Sequence, residues 1–188
     1  MGKTKQEETI FISEADQFVF GQGSHYDIYK KLGAHVCKKD GKKGTFFAVW
    51  APNAKSVHVV GNFNGWDTTS HNMERIGDGG IYTLFIPGIE SGELYKYYIE
   101  TQSGDGLYKA DPYANYAELR PGTASIVYDL SGNPYKFHKK VFRAKTNPLM
   151  IYECHIGSWM KHPDGTEDGF YNYREFADRI CEYLKEMK

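Results

Sequence analysis

The sequence predicts a mainly β protein: an immunoglobulin-like antiparallel β-sandwich, followed by the opening of a parallel βαβ unit. Three observations carry this reading. Between residues 45 and 129 short alternating segments recur, separated by turn signals. Tyr, Phe and Trp number 15, 11 and 3 in 188 residues, and aromatic side chains suit half-buried pleated surfaces. Past Asp129 the pattern changes to a dense apolar run, a polar loop and an amphipathic helical stretch.

Taken in order, residues 1–14 read as a solvated tail and 15–44 as a lead-in helix and hairpin. Residues 27–32 suit a short helix closed by Gly33, and Asp40-Gly41 between 35–37 and 45–47 signals a tight hairpin turn. The sandwich is expected over 45–130. In it Phe47 and Val49 share a face, as do Val57 and Val59, then Tyr82, Leu84 and Ile86. Tyr95, Tyr97 and Ile99 oppose Lys96, Tyr98 and Glu100, and a last short strand falls at 126–128.

Residues 131–188 read as a linker and a strand, loop and helix. The run 149–156 suits a strand buried on both faces. Asn172 with Glu175 three residues on forms a capping box, and Phe176, Ile180, Leu184 and Met187 make one stripe. No second parallel strand follows before Lys188, so the chain is expected to be truncated. Its 149–188 segment then exposes apolar surface, expected to be covered by the sandwich or by self-association with a second copy of the chain.

Charge narrows the function classes. Lys and Arg number 23 against 24 Asp and Glu, a net charge of −1, which disfavours a nucleic-acid partner and a polybasic membrane anchor. The longest apolar run, 46–51, is too short to cross a bilayer. The first ten residues lack a signal peptide's apolar stretch. Cys37, Cys154 and Cys181 cannot all pair and form no CxxC, so reduced thiols in a cytoplasmic protein are expected.

Motifs for catalysis, metal or cofactor binding are thin. There is no Gly-rich phosphate loop, nucleophile elbow or HExxH. The series Asp164, Thr166, Asp168, Gly169 and Glu175 fits a calcium loop apart from the threonine. Gly157 and His162-Pro163 exclude the entering helix such a loop needs. Glu153 and His155 share a strand face and are expected to bond neighbouring strands rather than act as ligands. We therefore expect no cofactor, no metal and no catalytic residue.

The sharpest local feature is Gly61-Asn62-Phe63-Asn64-Gly65-Trp66-Asp67. A Trp just after a Gly/Asn turn presents a flat ring on which the C–H face of a pyranose packs, while the Asn64 amide and the Lys96 ammonium suit its hydroxyls. Tyr108, after the Asp105-Gly106 turn, supplies a second ring. Trp66 is expected to be exposed, and Trp50, in the 46–51 strand, partly core.

Four stretches together resemble the N-terminal part of glycogen (1,4-α-glucan) branching enzymes. They are 18–26 with 29–35, 47–54 continuing to 59–66, 94–97 through 109–113, and 151–159. The second resembles the glucan-binding β-sandwich shared with debranching enzymes and glycogen-targeted kinase subunits. The fourth resembles the first strand of a catalytic (β/α)₈ barrel, so 131–188 would be the start of a truncated barrel. The resemblance implies a parent that transfers α-1,4 chains to 6-hydroxyls in glycogen biosynthesis, using carboxylates beyond Lys188. This chain alone would bind α-1,4-glucan, as glycogen or maltooligosaccharides, without catalysis. Binding residues carried over are Trp66, Lys96 and Tyr108, with Ser125 standing where related modules have an Asn. The alternatives are a non-enzymatic glycogen-targeting module, disfavoured by 152–159 and the 172–187 helix, and the start of a debranching hydrolase, disfavoured by His25-Tyr26 and 32–35.

Overall fold

Asp40 and Gly41 both adopt left-handed backbone, with φ of 50° and 79°. A two-residue hairpin turn demands this, and Asp and Gly tolerate it. In the computed structural model, which describes residues 10–132, 148, 151–163 and 169–187, they join β1 (Gly33–Lys39) to β2 (Lys42–Trp50). The pairing is antiparallel, with Lys39 opposite Lys42 and Gly33 opposite Ala48. The remaining strands of the first compact unit, Met1–Lys136, are β3 (Ala54–Gly61), β4 (Glu74–Ile76), β5 (Ile81–Pro87), β6 (Leu94–Thr101), β7 (Gly106–Lys109), β8 (Tyr116–Ala117) and β9 (Ser125–Ile126). One sheet runs β1-β2-β5-β4. The other runs β3-β6-β9-β8, with β7 also paired to β6. All these pairings are antiparallel. The fold is thus the expected antiparallel sandwich, but it begins at Gly33 rather than 45, because β1 is a full strand of the first sheet.

The main core lies between the sheets. Phe47, Val49, Tyr82 and Ile86 come from one side and Val57, Val59, Tyr95 and Tyr97 from the other, as the alternation predicts. Phe47 meets Tyr95 edge to face at 5.1 Å. β2 departs from the alternation, since every residue from Gly44 to Val49 is buried. The cause is a second core on the outer side of the first sheet. There Ile28 and Leu32 of the lead-in segment meet Phe46, Ala48 and Ile81, with Ile10, Phe11, Ile12 and Phe20 packed against them. Residues 10–12 are therefore not the solvated tail expected of 1–14; residues 1–9 lie outside the described residues.

The lead-in segment is tied down electrostatically. Helix α1 (Glu14–Gly21) starts in a capping box: Asp16 N–H donates to Ser13 Oγ at 3.2 Å and Ser13 N–H to Asp16 Oδ2 at 2.8 Å. The same carboxylate takes Lys31 Nζ at 2.5 Å and His25 Nε2 at 2.9 Å. The helix expected over 27–32 is a single 3₁₀ turn, Ile28–Lys30.

Burial works to raise the Asp16 carboxyl, but bonds from Lys31, Ser13 and His25 outweigh it and hold the group well below its ordinary 3.8. A carboxyl depressed by folding stabilises the fold above its ordinary value. That contribution is lost as the pH falls through 3.8 towards the folded value. Asp16→Ala is thus expected to cost about 1–3 kcal/mol at neutral pH and progressively less as the pH falls below 3.8. Urea midpoints of both proteins at about pH 7 and about pH 3 check this; an equal difference at the two would refute it.

In the second unit, Phe137–Lys188, the helix α3 (Tyr173–Met187) starts as the sequence predicts. Asn172 Oδ1 accepts the backbone N–H of Arg174 and Glu175 at 3.0 and 3.1 Å, and Asn172 N–H donates to Glu175 Oε2 at 2.9 Å. Phe176 and Ile180 are half-buried; Leu184 and Met187 are exposed. The strand expected over 149–156 does not form in its described part. Residues 151–155 are irregular and exposed, and α2 (Ile156–Trp159) starts at Ile156. A strand needs a partner for its ladder, and the unit's one bridge among the described residues joins Lys161 to Phe170. Glu153 and His155 are accordingly solvent-exposed rather than bonded between strands. Of the calcium-like series, 164–168 lie outside the described residues and Glu175 serves the helix cap.

Candidate functional site

Register decides what the second sheet presents outward. Across β3 and β6, Ser56 pairs with Glu100, His58 with Tyr98 and Val60 with Lys96; across β6 and β7, Tyr98 pairs with Tyr108. Directly paired antiparallel residues point to the same face, and Tyr95 and Tyr97 occupy the core face. Lys96, Tyr98, Tyr108 and His58 therefore share the outward face. Their rings form a row: Tyr98 and Tyr108 lie 5.2 Å apart at 62°, His58 and Tyr98 6.2 Å apart at 63°. Tyr108 is 52% exposed.

Beside this row Lys96 Nζ donates to Thr123 Oγ1 at 2.6 Å. That bond uses one of the ammonium's three donors and leaves the threonine hydroxyl proton free to donate. The face thus offers ring surface next to a fixed cation and a hydroxyl. Its far end is closed by Glu100, which accepts Lys55 Nζ at 2.6 Å and Ser56 Oγ at 2.9 Å.

Trp66 lies on the loop that leaves β3 at Gly61, itself opposite Tyr95 and one residue from Lys96 in the ladder. Gly65 and Trp66 are both left-handed, with φ of 63° and 62°, which is costly for a Trp. The loop is held there by Asn64. Its carbonyl accepts Gly61 N–H at 2.9 Å, and its amide nitrogen reaches Val59 O and Ser70 Oγ at 3.1 Å each. Asn64 is therefore consumed as a loop staple instead of facing a sugar. The Trp66 indole N–H is likewise taken, by Asn62 Oδ1 at 3.0 Å.

Two further expectations are overturned. Ser125 pairs with Tyr95, faces inward and is 1% exposed, and its Oγ accepts Asp111 N–H at 2.9 Å. It cannot reach a ligand on the outer face; Thr123, two residues earlier, holds the position beside Lys96. The exposure order of the tryptophans is also reversed. Trp50 is 52% exposed, its indole donating to Gly79 O at 2.9 Å and its ring edge-on to Phe20 at 5.7 Å, whereas Trp66 is half-buried. Trp50 ends β2 on the outer side, at the edge of the surface that the lead-in segment covers. Tyr98, His58 and Thr123 are missing from the sequence-derived set, although strand alternation from Lys96 already places Tyr98 on its face.

Residues 31–114 match the family model Carbohydrate-binding module 48 (Isoamylase N-terminal domain). The 1,4-alpha-glucan branching enzyme GlgB of Butyrivibrio fibrisolvens is 64% identical over 186 residues, 96% of this chain and 29% of that protein. The chain is similar over nearly its whole length to the N-terminal part of 1,4-alpha-glucan branching enzymes. The branching enzyme GlgB of Halothermothrix orenii is 48% identical over 93% of this chain and 28% of its own length. That of Bacillus subtilis is 46% identical over 90% and 27%. The chain thus spans under a third of the length of these relatives. Within the family module, 31–114, lie Lys96, Tyr98 and Tyr108, but not Thr123 or the β8–β9 pair.

Proposed function

We propose that this chain is the glucan-binding N-terminal portion of a cytoplasmic 1,4-alpha-glucan branching enzyme, a glycosyltransferase of glycogen biosynthesis, and that by itself it binds α-1,4-glucan without catalysis. The observation that carries the reading is the reach of the likeness. It extends over 96% of the chain, including residues well past 114, for which a free-standing targeting module has no use. The outward face supplies matching chemistry: Tyr108 and Tyr98 for the C–H faces of pyranose rings, Lys96 and Thr123 for their hydroxyls. Trp66, on the adjoining loop, borders the same site.

An open site of this size binds in the roughly micromolar to millimolar range. Titration with maltoheptaose is expected to give saturable binding, and cellohexaose none. Lys96→Ala should weaken maltoheptaose about ten-fold, the scale of one hydrogen bond to a charged group. An equal response to both sugars, or no loss in the Lys96 variant, would refute the assignment.

A further inference from the structure

A second pair of exposed rings lies on the same outward face, at the other end of β6. Leu94 pairs with Ile126 and Ile126 with Tyr116, so all three share the side of Lys96. Tyr128, two residues after Ile126, sets its ring 5.4 Å from that of Tyr116 at a tilt of 46°. Both are open to solvent, Tyr116 by 53% and Tyr128 by 46%. These rings cap no core: the buried residue beside them is Val127, which faces the other way.

Tyr98 and Leu94 are four residues apart along β6, roughly 13 Å of strand, and Tyr116 stands two strands further on, across Ile126 of β9, roughly 10 Å in the hydrogen-bonding direction. Lys96, bonded to Thr123, stands midway between Tyr98 and Leu94, and half-buried Leu94 and Ile126 floor the remaining stretch. Ring, hydrogen-bonding pair and ring in sequence match a linear chain whose sugar units offer C–H faces and hydroxyls in turn. A single mono- or disaccharide would engage one end only.

We infer that Tyr116 and Tyr128 form a second stacking subsite, which extends the glucan site from β6 across β9 towards β8 so that it selects longer α-1,4 chains over short ones. The inference rests on the glucan-binding reading above and deepens it. The wild-type chain should bind maltoheptaose more tightly than maltotriose. Replacing both tyrosines by alanine should lower that preference by about two- to ten-fold, the scale of a ring contact. Tyr116→Phe with Tyr128→Phe keeps the rings and should keep the preference. Calorimetric titration of the three proteins with both sugars decides. If the wild-type chain binds neither sugar, the glucan reading falls and the extension with it. If it binds both but the alanine variant keeps the wild-type ratio, or loses affinity for both sugars by one factor, the extension alone is overturned.

Discussion

Replacing Asp111 by alanine is expected to destabilise the sandwich by about 3–5 kcal/mol and lower its melting temperature by roughly 10 °C. Asp111 is buried, and its Oδ2 accepts the hydroxyls of Tyr95 at 2.7 Å and Tyr97 at 3.0 Å. Its Oδ1 accepts Tyr113 N–H at 2.8 Å. Both tyrosines are fully enclosed, so alanine takes the acceptor from the Tyr95 hydroxyl and leaves that of Tyr97 with the long bond to Ala48 O alone, at 3.5 Å. Asp111→Asn retains the shape and one acceptor oxygen and should cost distinctly less. Burial raises the Asp111 carboxyl despite these bonds, so this one group favours the folded state in acid and loses that effect as the pH rises through its folded value. Its trend is opposite to that of Asp16. Thermal and urea unfolding of the three proteins measure the costs; a loss under about 1 kcal/mol for alanine would show that the tyrosine hydroxyls find other partners.

The second large effect concerns the lead-in segment. A chain starting at Gly33 is expected to aggregate or unfold, although it keeps every strand of the sandwich. Without Ile28 and Leu32 the outer side of the first sheet bares Phe46, Ala48 and Ile81, a contiguous apolar patch. Burying a side chain such as Ile or Leu contributes about 1.5–3 kcal/mol. Losing these two, with Phe11, Ile12 and Phe20, removes an amount comparable to a domain's whole stability. Soluble yield and light scattering of chains beginning at Met1 and at Gly33 compare the two. A monomeric shorter chain with an unchanged melting temperature would mean that the outer core is dispensable.

What was legible in the sequence was local. Asp40-Gly41 fixed one hairpin, Asn172 and Glu175 one helix start, and period-two alternation sorted Tyr95 and Tyr97 from Lys96 and Tyr98. What was missed depends on pairing between distant segments. The inward turn of Ser125 follows from its register with Tyr95, thirty residues away in sequence, which no short window contains. The exposure of Trp50 follows from how the lead-in segment covers the outer face: Ile28 and Leu32 pack on Phe46, Ala48 and Ile81, while Trp50 meets the ring of Phe20 edge-on. The strand expected at 149–156 failed for a related reason: apolar composition makes a strand only where an edge is available.

The double burial of β2 also bears on how such a module can be varied. From Phe46 to Val49 the side chains belong to one core or the other, and Gly44 and Thr45 are buried beside them, so on this strand no new side chain is free of consequence for the fold. β6 is divided: its inward residues belong to the core, while Lys96, Tyr98 and Glu100 touch only outward neighbours. Exchanges there leave the core between the sheets untouched and bear instead on the ring row and the ion pair of the outward face. The two sheets thus differ in kind: the central strand β2 is committed to the fold on both faces, whereas β6 keeps one face outside the core between the sheets.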